Sequence, residues 1–337
     1  MPADSGQSPL RRYTGQDEQT AIVLALRRLP HIESPNQNSN SAIAISTSVG
    51  FSQYSVEDYV STVRMLKPDI VVGPGDVTFV PAKPSQKRAE KAADRTTEWM
   101  KELLLHRQAD FEAGSEPAYH VFAPVLPLPW EQQRWYTELL LEDDKAPLVA
   151  GLAVYDADSF HQPPEELSSL PRLALTQPST PREVLRQIWL GLDVFVLPFI
   201  GAATDAGIAL DFSFPAPTTS SGSRPVALGV DCWDSQHAID LSPLREHCEC
   251  YTCQKHHRAF LQHLLHAKEM LGWVLLQIHN HHVVSEFFAG IRGSIEKGAF
   301  EGDVEEFNRY YEQELPEKTG QGPRYGKYNT AWQKSRD

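Results

Sequence analysis

The order of hydrophobic and polar positions along the chain switches between two periods. SAIAISTSVGF (41–51) alternates apolar and small polar residues, which predicts a strand. SVEDYVSTVRMLKP follows with apolar residues at helical spacing, Ser55 as N-cap and Pro68 as the stop. DIVVGPGD then predicts a short buried strand ending in a glycine turn. Helices are predicted over 89–107, 132–143 and 180–191, the last with Thr180 as cap, Pro181 at the first position and Gly191 at the end. Strands are predicted over 120–128, 147–158, 172–176 and 192–199. Alternation of this kind implies a parallel sheet with crossover helices, and the length suits a (β/α) barrel better than an open sheet. No Gly-x-Gly-x-x-Gly or P-loop pattern follows any of these strands, which disfavours a nucleotide cofactor.

The C-terminal half reads differently. FPAPTTSSGSRP is an exposed loop by composition. A long helical pattern covers 258–280, a second 283–298, and DVEEFNRYYEQEL continues the helical reading. Trp273, Val274, Leu275, Leu276, Phe287 and Phe288 are too many for one face of a solvated helix. Most are expected to pack inward, and some to form a partner interface. The segment after Pro316 is polar and basic and is expected to be flexible.

Composition narrows the function. At 41% hydrophobic and 22% charged residues the chain has a globular profile, and no apolar run approaches the ~20 residues of a membrane span. No secretory signal is recognised, so a reducing, cytoplasmic setting is expected. A net charge of −13 argues against a general nucleic-acid binder. Any RNA contact is then local, through Lys83, Lys87, Arg88 and Lys91 or the tail, or shared with a partner.

The candidate chemistry lies in HCECYTCQKHH (247–257). Cys248, Cys250 and Cys253 form Cys-x-Cys-x-x-Cys, and clustered reduced thiols point to a metal. Zinc takes four tetrahedral nitrogen or sulfur ligands, so one histidine would close the shell and leave no position for a catalytic water. Spacing leaves the fourth ligand open among His247, His256, His257, His263, His266, His279, His281 and His282. Cys232 is isolated and reads as a buried thiol.

Residues 242–280 resemble the zinc-binding segment of the tRNA-guanine transglycosylase family. The matching elements are the three cysteines, Arg258-Ala259-Phe260, His263-Leu264-Leu265, Glu269 and His279-Asn280. The resemblance selects His279 as the fourth ligand of one structural Zn²⁺. DRTTEWMKELL (94–104), GLAVYDADSF (151–160) and TPREVLRQIWLGLDVF (180–195) extend it upstream. It implies an α/β, TIM-like barrel over 41–245 and a zinc-binding helical subdomain over 246–315, with a tail at 316–337. Residues 1–40 match poorly, so the barrel is expected to be incomplete at its N-terminal end.

That family exchanges a guanine in tRNA for a modified base, using one carboxylate as nucleophile and another to manage protons. In the matching stretch the nucleophile position is occupied by Val196, and Asp193 is the earlier, non-attacking aspartate. Leu126, Pro127 and Leu128 stand where the family has Gln-Gly-Gly, and no Asp-Ser-Gly-Gly occurs. No catalytic residue is therefore assigned. FSF (212–214) adds to a likeness to the accessory, non-catalytic branch. That likeness implies a catalytic partner subunit in a heterodimer, contact with tRNA through the complex, and queuine exchange at the wobble position of tRNAs for Asp, Asn, His and Tyr. It also implies a cytoplasmic place, with peripheral association at the mitochondrial outer surface as a variant. Two other readings stay open: a zinc-stabilised interaction module without an RNA role, and an active glycosyltransferase using Asp156, Asp158 or Asp205.

Overall fold

A computed structural model describes residues 8–323 apart from 30, 32–36, 78–83, 113–118, 161–162 and 218–224. The chain divides into two compact units, 1–177 with 186–196, and 178–185 with 197–337.

The first unit begins with α1 (Pro9–Thr14) and β1 (Val23–Leu24), then β2 (Ile43–Thr47) and β3 (Gly50–Tyr54). There follow α2 (Val56–Leu66), β4 (Ile70–Val72), α3 (Gln86–Glu112), β5 (His120–Val125), α4 (Arg134–Leu140), β6 (Val149–Val154) and β7 (Arg172–Ala174). Helix α5 (Pro181–Trp189) leads to β8 (Val194–Phe195). Strands β1-β4-β5-β6-β7-β8 lie side by side, all parallel. Each new strand joins the edge of the last, as in a TIM-like barrel, and the curled sheet stops short of closure.

Local chemistry explains the boundaries. Ser55 and Asp58 form a reciprocal capping box at the start of α2, and Lys67 in the left-handed region ends it before Pro68. Thr180 Oγ1 accepts from the Glu183 N–H at 3.3 Å, so α5 begins at its expected cap. Both sheet faces are buried, as parallel sheets require. Val71, Val121, Leu152, Val154 and Ala174 pack among Trp99, Met100 and Leu103. The alternate positions, Val72, Phe122, Ala153 and Leu173, form a second apolar cluster with Tyr155 and Val196. Gly151 lets the Phe122 ring cross it, since a Cβ there would lie 2.6 Å from that ring.

Two strand expectations are corrected. The strand of 41–51 turns back after Thr47, and Ile43–Thr47 pairs antiparallel with Gly50–Tyr54; the small residues Ser48 and Gly50 mark the turn. The strand of 192–199 keeps only Val194 and Phe195. Pro198, with its fixed φ and no N–H to give, opens α6 (Pro198–Ala206).

The second unit continues with β9 (Ile208–Leu210) and its antiparallel partner β10 (Gly229–Asp231). Helices α7 (Tyr251–Lys255), α8 (Arg258–His266), α9 (Met270–Glu296) and α10 (Phe300–Tyr310) follow. The helical pattern breaks where the sequence does not announce it. Lys268 takes φ +60° and ends α8, whereas His281 and His282, which separate the two expected helices, lie inside the unbroken α9. Phe212 and Phe214 pack edge-on or tilted against Phe287 and Phe307. The exposed loop read from 214–225 falls largely on residues outside the described set, as do 324–337 of the expected tail. Residues 316–323 are anchored: Thr319 Oγ1 bonds Asp231 Oδ2, and Gly320 packs against the Trp233 ring.

Gly290 brings α9 onto the 212–214 segment. A Cβ there would lie 1.7 Å from the Phe214 carbonyl oxygen, an unyielding backbone atom. Gly290→Ala is therefore expected to cost about 3 kcal/mol, read as a lowered urea midpoint with unchanged slope.

Candidate metal centre

Cys250 occupies the N-cap of α7, and its Sγ accepts the Cys253 N–H at 3.3 Å. That single turn points two sulfurs the same way. Cys248 approaches from the preceding residues, after His247 adopts a left-handed φ of +61°. The fourth member comes from α9: His279 Nδ1 lies 3.7, 3.5 and 3.4 Å from the sulfurs of Cys248, Cys250 and Cys253. All four donor atoms fall within 4.8 Å of one another, the one such group among the described residues, and the set could hold a metal ion. Tetrahedral bonds of ~2.3 Å to sulfur and ~2.0 Å to nitrogen give ligand–ligand edges of roughly 3.5 Å. The observed sulfur–nitrogen edges fit that geometry.

A second set of contacts fixes the histidine. The ring is fully buried, and Nε2–H donates to the Leu210 carbonyl at 2.9 Å, which leaves the Nδ1 lone pair facing the thiols. Asn280, the next residue, bonds the same strand: Oδ1 accepts the Leu210 N–H at 2.8 Å, and Nδ2 donates to Ile208 O and Thr204 Oγ1, each at 3.0 Å. A polar pair that looked like a helix boundary is thus a fully bonded clasp on β9. Thr252 Oγ1 donates to Leu275 O at 2.7 Å and ties α7 to α9. Spacing could not name Leu210 or Thr252, because both act through long-range contacts.

Burial pushes the His279 pKa down to about 4, partly opposed by the Leu210 carbonyl. Burial raises the Cys248 and Cys253 thiols, and the charge of a neighbouring sulfur, Cys253 for the first and Cys250 for the second, adds to the rise. Packed thiols resist ionising together unless a cation compensates them. Cys232 stays apart, 1% exposed, with its thiol raised to about 12 by burial.

The remaining histidines serve elsewhere. His256 stacks on Phe260, and His257 Nδ1 accepts the Phe260 N–H at the start of α8. His266 meets the Trp233 carbonyl, His281 meets Gln277, and His282 lies beside Glu286. His247 and His263 are exposed.

A model of the queuine tRNA-ribosyltransferase family matches residues 10–313. The chain belongs to the queuine tRNA-ribosyltransferase family. Among its relatives, a Schizosaccharomyces pombe protein is 34% identical over 96% of this chain and 71% of its own length. Proteins of Culex quinquefasciatus and Xenopus tropicalis are each 27% identical, over 84% and 77% of this chain and 68% and 71% of their own lengths. All three are named queuine tRNA-ribosyltransferase accessory subunit 2.

In this member of the family the described C-terminal ends of the strands are apolar or internally paired. Leu126 and Leu128 are buried among Val77, Ala89, Ala92 and Ala93, and Gln133 bonds the backbone of both leucines. Val196 packs beside Leu173 and Tyr155. Asp193 Oδ2 accepts the Arg172 N–H at 2.9 Å. Asp156 is bonded by Ser159, and Asp158 pairs with Arg186. Asp205 lies on α6 in the second unit. Asp76, fully buried, accepts from Arg88, Arg95 and Asn38. Arg88 is therefore not the free basic group the sequence suggested; Lys87 and Lys91 are exposed, and Lys83 lies outside the described residues. No helix among the described residues is long and apolar enough to cross a membrane.

Proposed function

We propose that this chain is the non-catalytic, accessory subunit of a heterodimeric queuine tRNA-ribosyltransferase, holding one structural zinc ion through Cys248, Cys250, Cys253 and His279. A catalytic subunit replaces guanine with queuine at the wobble position of tRNAs for Asp, Asn, His and Tyr, and this chain supports it in the cytoplasm. The observation that carries the reading is the likeness, along nearly the whole chain, to relatives bearing the accessory name. The barrel residues support it. An alkyl group at Val196 can neither attack carbon nor carry an anion, and the packed Leu126 and Leu128 leave a base no polar cradle. A Cys₃His set fills a tetrahedral shell, which suits a structural ion rather than one that activates water.

Restoring a carboxylate tests the non-catalytic part. Val196→Asp is expected to give no incorporation of labelled guanine into tRNA, since the pocket is filled as well. Exchange by that variant alone would overturn the reading. Metal analysis of the purified chain is expected to give one zinc per chain; another metal, or none, would remove the zinc assignment.

A further inference from the structure

Arg27 stands beyond β1, Asp76 beyond β4 and Tyr155 directly after β6, at the same ends of strands in one parallel sheet. Those ends are where barrels and open α/β sheets hold ligands. Arg27 is an exception to the internal pairing there. Its Nη1 donates to the Ala44 carbonyl at 3.3 Å, but Nε and Nη2 are buried and meet no acceptor among the described residues. The N–H groups of Nε and Nη2 lie along one edge of the guanidinium, the edge that takes two oxygens of one anion. A buried guanidinium without a counter-charge is costly, and burial pulls the Arg27 pKa below its ordinary value. Tyr155 and Asp76 oppose that fall and Arg88 adds to it, so all three stand within reach of its charge.

Asp76 has nothing left for Arg27. Its carboxylate accepts from Arg88 Nη1 and Nη2, Arg95 Nη1 and Asn38 Nδ2, which fill the acceptor sites of its two oxygens. Three guanidinium groups thus share one carboxylate, a surplus of two positive charges. His31 adds none near neutral pH, because burial and the charge of Arg27 push its pKa down to about 4. Tyr155 is neutral, its hydroxyl pushed up to about 12 by burial.

We propose that the Nε and Nη2 edge of Arg27, beside the Asp76–Arg88–Arg95 network, binds a phosphomonoester or free phosphate. Such a group carries about −1.5 to −2 charge near pH 7 and matches the surplus, whereas a carboxylate or a nucleic-acid phosphodiester brings a single charge. Burial of both nitrogens admits a terminal phosphate and excludes a continuous nucleic-acid backbone. Arg27 offers donors only, so the site does not restore the missing base cradle.

The test is titration of the purified full chain, in phosphate-free buffer at constant ionic strength, with inorganic phosphate, glycerol 3-phosphate, succinate and a dinucleotide phosphodiester. The wild type is expected to bind inorganic phosphate or glycerol 3-phosphate saturably, one per chain, and to melt at higher temperature as either is added. Arg27→Gln is expected to weaken that binding at least about tenfold. Arg27→Lys keeps the charge but loses the two-pronged edge; it should also bind more weakly, and it carries the test if the glutamine variant fails to fold. Tighter binding of glycerol 3-phosphate would identify an esterified ligand, and tighter binding of inorganic phosphate the free ion; both support the site. No saturable binding of either, wild-type affinity in a folded Arg27 variant, or a preference for succinate or the phosphodiester would overturn it.

Discussion

Cys250→Ser is expected to release the metal and to destabilise the second unit by roughly 5 kcal/mol. The size follows from linkage: structural zinc binding in small domains is worth ~10–16 kcal/mol, and the folded form loses much of that when one of four ligands becomes a hydroxyl. The substitution is chosen because serine is also a good N-cap. The Cys250 side chain starts α7 by accepting the Cys253 N–H, and a serine oxygen can do the same. Loss of stability therefore reports the metal rather than the helix start. The effect should spread along two contacts, from His279 to the Leu210 carbonyl and from Thr252 to Leu275. Hydrogen exchange is expected to quicken at residues 248–256 and at β9. Full zinc occupancy with an unchanged melting temperature would show that Cys250 is not a ligand.

Asp76→Asn should cost about 3 kcal/mol without touching the metal. The carboxylate is fully buried and neutralises Arg88 and Arg95, and the amide that replaces it leaves both guanidinium groups without a counter-charge. Removing one partner of a buried pair costs ~3–5 kcal/mol, and the lower end applies because Arg88 is 35% exposed and can regain water. The pH dependence has a definite sign. Burial would raise the Asp76 pKa, but the hydrogen bonds and charge of Arg88, with Asn38 and Arg95, hold it below the usual carboxylate value. A group depressed on folding contributes stability above its unfolded pKa of ~3.9 and loses it as pH falls through the lower folded value. The wild-type advantage over Asp76→Asn should thus be constant near neutral pH and shrink below about pH 4. Urea midpoints of the two proteins at pH 7 and pH 3 check this; an equal difference at both would exclude Asp76 as the titrating group.

Legibility in the sequence followed distance along the chain. Cys248, Cys250 and Cys253 fall within six positions, so the cluster was readable from spacing. His279 lies 26 residues beyond Cys253, and only the family likeness selected it, because the intervening break at Lys268 leaves no sequence signal. The capping of α2 and α5 was local and therefore visible. The unbroken α9 was not: His279 and Asn280 are satisfied by β9, a contact that no helical periodicity contains. The Asp76 network joins positions 38, 76, 88 and 95, and no local pattern announces it, so Arg88 read as a free basic group. Val196 stood out only against a family pattern, since an apolar residue in an apolar strand carries no mark of its own.

The most direct measurement is incorporation of labelled guanine into tRNA by the purified, zinc-loaded chain, alone and after mixing with a catalytic queuine tRNA-ribosyltransferase subunit. The proposed role requires no exchange above background from this chain alone and restored exchange from the pair. Sustained exchange by this chain without any partner would contradict it.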